Sequence, residues 1–150
     1  PREGNNNSFE HCLRRFDLSQ DTSLKYKFLL FFDNDMLKLE HEFKFLNSGD
    51  NGYMTLKHEQ DKIIAFERGK MLWVFNFNPT QSFSNYWIGI EWPGTYHYVL
   101  CTDDEKYGGK NRINTAQKPQ SYPEGYQNRQ NKIELFIPSQ CAFVLRLDDV

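Results

Sequence analysis

The hydrophobic pattern changes its period near residue 47, and that change limits the chain to a helical segment followed by a β region. Before it, Leu24, Phe28, Phe32, Met36, Leu39, Phe43 and Leu46 recur at steps of three and four, which is the spacing of one helix face. Asp21, Thr22 or Ser23 is placed to cap this helix, and Ser8 to cap a shorter one carrying Phe9, Leu13 and Phe16. Tyr26, Leu29, Leu30 and Leu37 fall off the stripe, and Phe28 to Phe32 is apolar all round. A helix of that kind is normally buried on several sides.

After the change, short apolar or alternating runs are bounded by Gly, Pro, Asn or Asp, as strands are. The pattern predicts strands at Tyr53–His58, Lys62–Arg68, Met71–Phe77, Tyr86–Trp92, Tyr96–Thr102, Lys132–Ile137 and Cys141–Leu147. Arg68-Gly69-Lys70 predicts one tight hairpin and Trp92-Pro93-Gly94-Thr95 another. Asp103 to Asn131 is polar and turn-rich, and reads as a long ordered loop or two poorly formed edge strands. Strands joined by short connections imply an antiparallel sandwich or barrel. Its expected core is Ile63 or Ile64, Phe66, Trp73, Phe75, Leu135 and Phe143, with Met71 and Phe77 grouped beside Trp73. Tyr96 and Tyr98 are expected to face that core with their hydroxyls at its edge. A sandwich of roughly 100 residues offers little outer surface for so apolar a helix, so the helical part is expected to belong to something larger.

Composition excludes several classes. The 150 residues carry 18 Lys and Arg against 20 Asp and Glu, a net charge of −2. With a pI near 6.1, the chain has no basic stripe for nucleic acid. Mean hydropathy is −0.74, and no run approaches the roughly 20 apolar residues that span a bilayer. Pro1 to Ser8 is polar and does not read as a secretory signal. Thirteen Phe, three Trp and eight Tyr can build a core and need one. Cys12, Cys101 and Cys141 are widely separated without CxxC spacing, which fits reduced thiols in the cytosol. The sequon Asn6-Asn7-Ser8 points weakly the other way.

No catalytic constellation stands out. Asp33-Asn34-Asp35 lies within the helix, where adjacent residues diverge, and reads as a polar face. Asp103, Asp104 and Glu105 read as a solvated acidic loop. His11, His41, His58 and His97 lack metal-ligand spacing, and no GxSxG, P-loop or dinucleotide fingerprint occurs. Gly108-Gly109 reads as a turn. No cofactor or metal is therefore expected. The aromatics remain. Trp87 alternates with Asn85, Gly89 and Glu91 and is expected on the wetter sheet face, opposite Tyr86, Ile88, Ile90 and Trp92. A flat ring beside amides and carboxylates suits a sugar face.

Several segments resemble eukaryotic 1,4-α-glucan branching enzymes of the α-amylase superfamily. Pro1-Arg2-Glu3-Gly4-Asn5-Asn6 and Arg14-Arg15-Phe16-Asp17-Leu18 resemble the segment after that family's last barrel strand. Tyr26-Lys27-Phe28-Leu29, Phe32-Asp33-Asn34-Asp35-Met36 and Leu39-Glu40 resemble its final barrel helix. Lys62-Ile63-Ile64-Ala65-Phe66-Glu67-Arg68-Gly69, Phe75-Asn76-Phe77-Asn78-Pro79-Thr80, Pro93-Gly94-Thr95-Tyr96, Tyr107-Gly108-Gly109, Asn128-Arg129 and Ile137-Pro138-Ser139 follow in the family's order. Gln130 after Arg129, and Cys101-Thr102-Asp103 before the Gly-Gly turn, depart from its usual residues.

The resemblance implies that residues 1–46 close a catalytic (β/α)₈ barrel and residues 47–150 form the all-β domain after it. It implies an enzyme that cuts α-1,4-glucan and transfers the piece to a 6-hydroxyl by double displacement, with Asp, Glu and Asp upstream of Pro1. None of those roles falls on this chain, which is expected to be inactive alone. Arg2 and Asn5 resemble the loop end nearest the active-site rim and, with Trp87, are the expected carbohydrate contacts. The expected partners are α-glucan, through the whole enzyme, and the barrel itself, with neither nucleic acid nor membrane. The expected location is the cytoplasm, or a plastid in a starch-making plant or alga. The rival expectation is a free-standing carbohydrate-binding or interaction module.

Overall fold

A computed structural model describes residues 13, 15–49 and 51–148. The elements are α1 (Asp17–Gln20), α2 (Tyr26–Phe43), β1 (Tyr53–His58), β2 (Ile63–Arg68), β3 (Met71–Asn76), β4 (Phe83–Ile90), β5 (Tyr96–Cys101), β6 (Ser121–Tyr122), β7 (Asn131–Ile137) and β8 (Cys141–Leu147). The strands form a five-stranded sheet, β1-β2-β3-β8-β5, and a three-stranded sheet, β4-β7-β6. Every pairing is antiparallel. This is the predicted antiparallel sandwich, and the seven expected strands all appear within a few residues of their predicted ends.

Side-chain alternation along β3 produces two cores. Leu72 and Val74 point between the sheets, where Ile63, Ala65, Ile88, Ile90, Ile133, Leu135, Ile137, Phe143 and Leu145 are buried. Met71, Trp73 and Phe75 point the other way, into a second cluster with Val144, Leu100 and Phe66 beneath the helix. The period-2 alternation of a strand dictates this split. Phe66, Trp73 and Phe75 therefore belong to the helix-covered face and not to the sandwich interior, a correction to the expected core. β3 reads as an unbroken apolar run because both of its faces are covered. β5 carries a register shift between Tyr98 and Leu100, so Tyr98 and Cys101 face the sandwich while Leu100 faces the helix.

Phe77 is 62% exposed, against the expectation that it is buried with Trp73 in the core. Its neighbours Asn76 and Asn78 are buried instead. Asn76 Nδ2 donates to the carbonyls of Gln81, Ile137 and Pro138, and Asn76 Oδ1 accepts from the Asn78 amide at 2.8 Å. Asn78 Oδ1 accepts from the amides of Thr80 and Gln81. These amides satisfy the backbone where the chain crosses between sheets. Alternation keeps Phe77 on the face of Trp73 and Phe75, where its ring stacks on Phe75 with centroids 6.0 Å apart, but it lies past the buried cluster.

Gly69 and Lys70 both adopt positive φ, giving the predicted tight β2–β3 hairpin. Trp92-Pro93-Gly94-Thr95 does not form one. β4 and β5 lie in different sheets, and this segment crosses between them, held by Gly94 N donating to Ser121 Oγ at 2.7 Å.

Asp21 does not cap α2. It accepts from Ser23 N and Oγ at 2.9 and 2.6 Å, closing a local turn, and the helix begins at Tyr26 after Lys25. It ends earlier than the stripe predicts, at Lys44, which adopts φ 51° and ψ 36°. A 3₁₀ turn at Phe45–Asn47 follows. Phe45 enters the core and Leu46 stays exposed, reversing the expected register. Arg68 donates to the Phe45 and Leu46 carbonyls at 3.0 and 2.9 Å, satisfying groups that a helix end leaves unpaired. The expected cap Ser8, with Phe9 and Cys12, lies outside the described residues.

Phe32, Met36, Leu39 and Phe43 pack on the five-stranded sheet. Tyr26, Leu29, Phe31 and Leu37 are exposed. No helix among the described residues is long and apolar enough to cross a membrane.

Candidate functional site

Trp87 lies on the outer face of the three-stranded sheet, as expected, while Tyr86, Ile88 and Ile90 pack inward. It pairs with Glu134 of β7. Its ring meets the edge of Tyr122 with centroids 5.3 Å apart, and Lys132 Nζ sits 4.4 Å from its centroid. Lys132 also pairs with Glu124 at 2.5 Å. One contact surface of the indole is thus already engaged by an ammonium group. Asn85 Nδ2 donates to Glu134 Oε1 at 2.5 Å, which places an amide and a carboxylate next to the ring. Arg2 and Asn5, the other two expected sugar contacts, lie outside the described residues.

The buried carboxylates are committed to arginines. Asp103, expected in a solvated loop, is 3% exposed. It accepts from Arg112 N at 2.6 Å, Nε at 3.0 Å and Nη2 at 2.7 Å. Arg112 also donates to the Ser139 carbonyl at 3.0 Å. Burial pushes the Asp103 carboxyl up, but these donors outweigh it and hold the group below its usual range. The anchor folds the long loop back on itself. Gly109 lies so close to the Asp103 backbone that a Cβ there would sit 2.1 Å from its carbonyl carbon. Gly108, in the left-handed region, would meet the Phe28 ring at 2.9 Å. The Gly-Gly pair is a packing requirement as well as a turn.

Glu67, on β2, is also 3% exposed. Arg129 Nε approaches its Oε2 to 2.7 Å, close in distance but not aligned as a hydrogen bond. Glu67 Oε1 accepts from the Glu91 amide at 2.9 Å, and Arg129 Nη1 reaches Glu91 Oε2 at 3.2 Å. The guanidinium lies 3.5 Å from the Tyr53 ring centroid. Burial raises the Glu67 carboxyl above its usual range, partly offset by these donors. The cluster ties the turn before β7 to the larger sheet. Gly89 lets that turn close on β4: a Cβ would sit 2.2 Å from the Tyr126 carbonyl oxygen. Nothing in the spacing of the Asn128-Arg129 motif points to Glu67.

Asp35, expected on a plain polar helix face, joins α2 to the loop after β5. It accepts from Tyr107 Oη at 2.8 Å, with Lys38 at 2.9 Å and Lys106 at 3.4 Å. These donors hold its carboxyl down to about 2. Cys101 and Cys141 are free buried thiols. The Cys101 thiol, hydrogen-bonded to Cys141 and desolvated, is pushed well up, which suits packing and not nucleophilic attack. Tyr96 Oη donates to the Trp92 carbonyl at 2.7 Å, so its hydroxyl lies at the edge of the core as expected.

Comparison with known proteins fits this architecture. Residues 53–148 match the α-amylase C-terminal all-beta domain. A protein named 1,4-alpha-glucan-branching enzyme from Rhizophagus irregularis is 45% identical over 145 residues, covering 97% of this chain and 21% of the relative. Its namesake from Candida glabrata is 47% identical over 145 residues, covering 97% and 20%. The one from Equus caballus is 40% identical over 146 residues, covering 97% and 21%. The chain thus spans about a fifth of the length of the curated relatives it matches. With the two-sheet fold and the match over β1 to β8, the chain belongs to the family of the α-amylase C-terminal all-beta domain.

Proposed function

We propose that this chain serves as the C-terminal region of a 1,4-α-glucan-branching enzyme, an enzyme that cuts α-1,4-glucan and transfers the piece to a 6-hydroxyl to make an α-1,6 branch. The observation that carries this reading is similarity of 40–47% across at least 97% of the chain to proteins of that name. In this role residues 1–46 complete a catalytic barrel and residues 47–150 support it. The exposed Tyr26, Leu29, Phe31 and Leu37 supply an apolar surface of the kind that marks an interaction site. The buried acids Glu67 and Asp103 hold elements together, in keeping with a supporting part. Arg2 and Asn5, at the loop end nearest the active-site rim, and Trp87, on the sandwich surface, are the proposed glucan contacts, and the cytoplasm, or a plastid in a starch-making plant or alga, is the proposed location.

A chimera tests the reading. This chain replaces the corresponding segment of the Saccharomyces cerevisiae relative, which is 42% identical over 149 residues. Branching is followed by iodine colour on amylose. The chimera is expected to branch, and the 150-residue chain alone to match a control protein. A chimera no more active than one carrying an unrelated β-sandwich in that position would overturn the proposal, as would turnover by the isolated chain.

A further inference from the structure

A cleft of about 480 Å³ opens beside β7, between Glu134 to Phe136 and the loop segment Arg112 to Pro119. Its size falls within the roughly 300–1,000 Å³ of small-ligand sites. β6 is only two residues long and pairs with Lys132 and Ile133, so the loop splays from β7 beyond that point and leaves the gap.

The groups facing the cleft are sorted by charge. Arg112 is held by Asp103 and Lys118 by Asp148 at 2.9 Å. Both cations on the rim are neutralised within the chain, so the cleft has no free positive group to recruit an anion. What remains is uncharged or acceptor chemistry. Phe136 presents a partly exposed ring. Glu134 uses Oε1 for Asn85, and its other oxygen takes no partner among the described residues. The Gln117 side-chain amide likewise takes none.

The Tyr98 hydroxyl is the decisive group. Its partly buried ring packs against the sandwich core, edge-on to Phe143 with centroids 5.5 Å apart. Yet its hydroxyl makes no hydrogen bond among the described residues and is not fully enclosed. The tyrosine lines the cleft. A hydroxyl open to the cleft is free to donate to whatever occupies it. Burial pushes that hydroxyl up to about 12, so it stays a donor at neutral pH.

We propose that this cleft binds a short stretch of uncharged α-1,4-linked glucan, with Tyr98 Oη donating to a sugar oxygen, Glu134 and Gln117 holding hydroxyls, and Phe136 lying against a sugar face. The identity of the sugar rests on the branching-enzyme reading; the position of the site rests on the cleft. It shares Glu134 with the surface of Trp87, whose ring lies outside the cleft and is already engaged by Lys132.

The test is an amide and indole NMR titration of the 150-residue chain with maltoheptaose, with cellohexaose as the control sugar. Shifts are expected at residues 112–119 and 134–136. Tyr98→Phe, which keeps the buried ring, is expected to weaken binding by roughly 3- to 10-fold, the worth of one hydrogen bond. Phe136→Ala is expected to weaken it further. No saturable shifts, shifts confined to Trp87 and Tyr122, equal binding of cellohexaose, or an unaltered Tyr98→Phe titration would each overturn the proposal. An active chimera with a silent cleft would refute this site alone. A binding cleft in a chain whose chimera is inactive would refute the branching-enzyme reading alone.

Discussion

At the residue scale, three side chains carry consequences that a melt can read. Arg129 faces a buried acid. Replacing it by Met leaves Glu67 without a counter-charge, a loss of about 3–5 kcal/mol for a buried pair. The cost has a pH sign. A carboxyl whose folded pKa is raised favours the protonated form, so stability falls as pH rises from the unfolded value through the folded one. Arg129→Met is therefore expected to be more damaging in urea melts at pH 7 than at pH 4. Asp35 has the opposite sign. Its carboxyl is held down to about 2 by Lys38, Tyr107 and Lys106, so its contribution is complete above about pH 4 and disappears as pH falls toward 2. The stability gap between the parent chain and Asp35→Asn is expected to close over that window. The two-core arrangement yields a third expectation. Phe143→Ala, at 1% exposure, is expected to cost about 3–5 kcal/mol. Phe77→Ala, at 62% exposure, falls within about 0.5 kcal/mol of zero. Equal losses in denaturant melts would contradict the exposure of Phe77.

At the scale of elements, the strands were legible because local signals agreed. Alternation, β-branched and aromatic residues, and bounding turns all marked the same seven segments. The helix stripe was legible too, and Phe32, Met36, Leu39 and Phe43 do face the sheet. What could not be read was which face of each strand meets which partner. Met71–Asn76 is apolar on both sides, so periodicity gives no hint that Trp73 sits under a helix while Leu72 sits between sheets. Partners distant in sequence were hidden for the same reason. Asp103 and Arg112 are nine residues apart, Glu67 and Arg129 sixty-two, and no local pattern joins them. The cleft beside Tyr98 arises because the loop leaves β7 after two residues of pairing, a tertiary event without a sequence period. The α2 exit departs from the stripe because Lys44 turns left-handed, which moves Phe45 inward in place of Leu46.

At the scale of the whole molecule, α2 has one face fixed and one face open. The docked face rests on Trp73, Met71 and Val144 and is latched by Asp35 to Tyr107. The open face carries Leu29 at 67% and Leu37 at 59% exposure. We propose that in the whole enzyme this open face meets the barrel, and in isolation it is expected to drive association. The most direct test is the branching rate of the yeast chimera carrying Leu29→Glu and Leu37→Glu, with the same changes made in the 150-residue chain to show by NMR that the sandwich still folds. The expected result is a folded chain and a chimera whose soluble activity falls roughly tenfold or more, the scale of a lost interface contact of about 1.4 kcal/mol. A doubly substituted chimera as active as its parent would show that nothing covers this helix, and would contradict the role assigned to the chain.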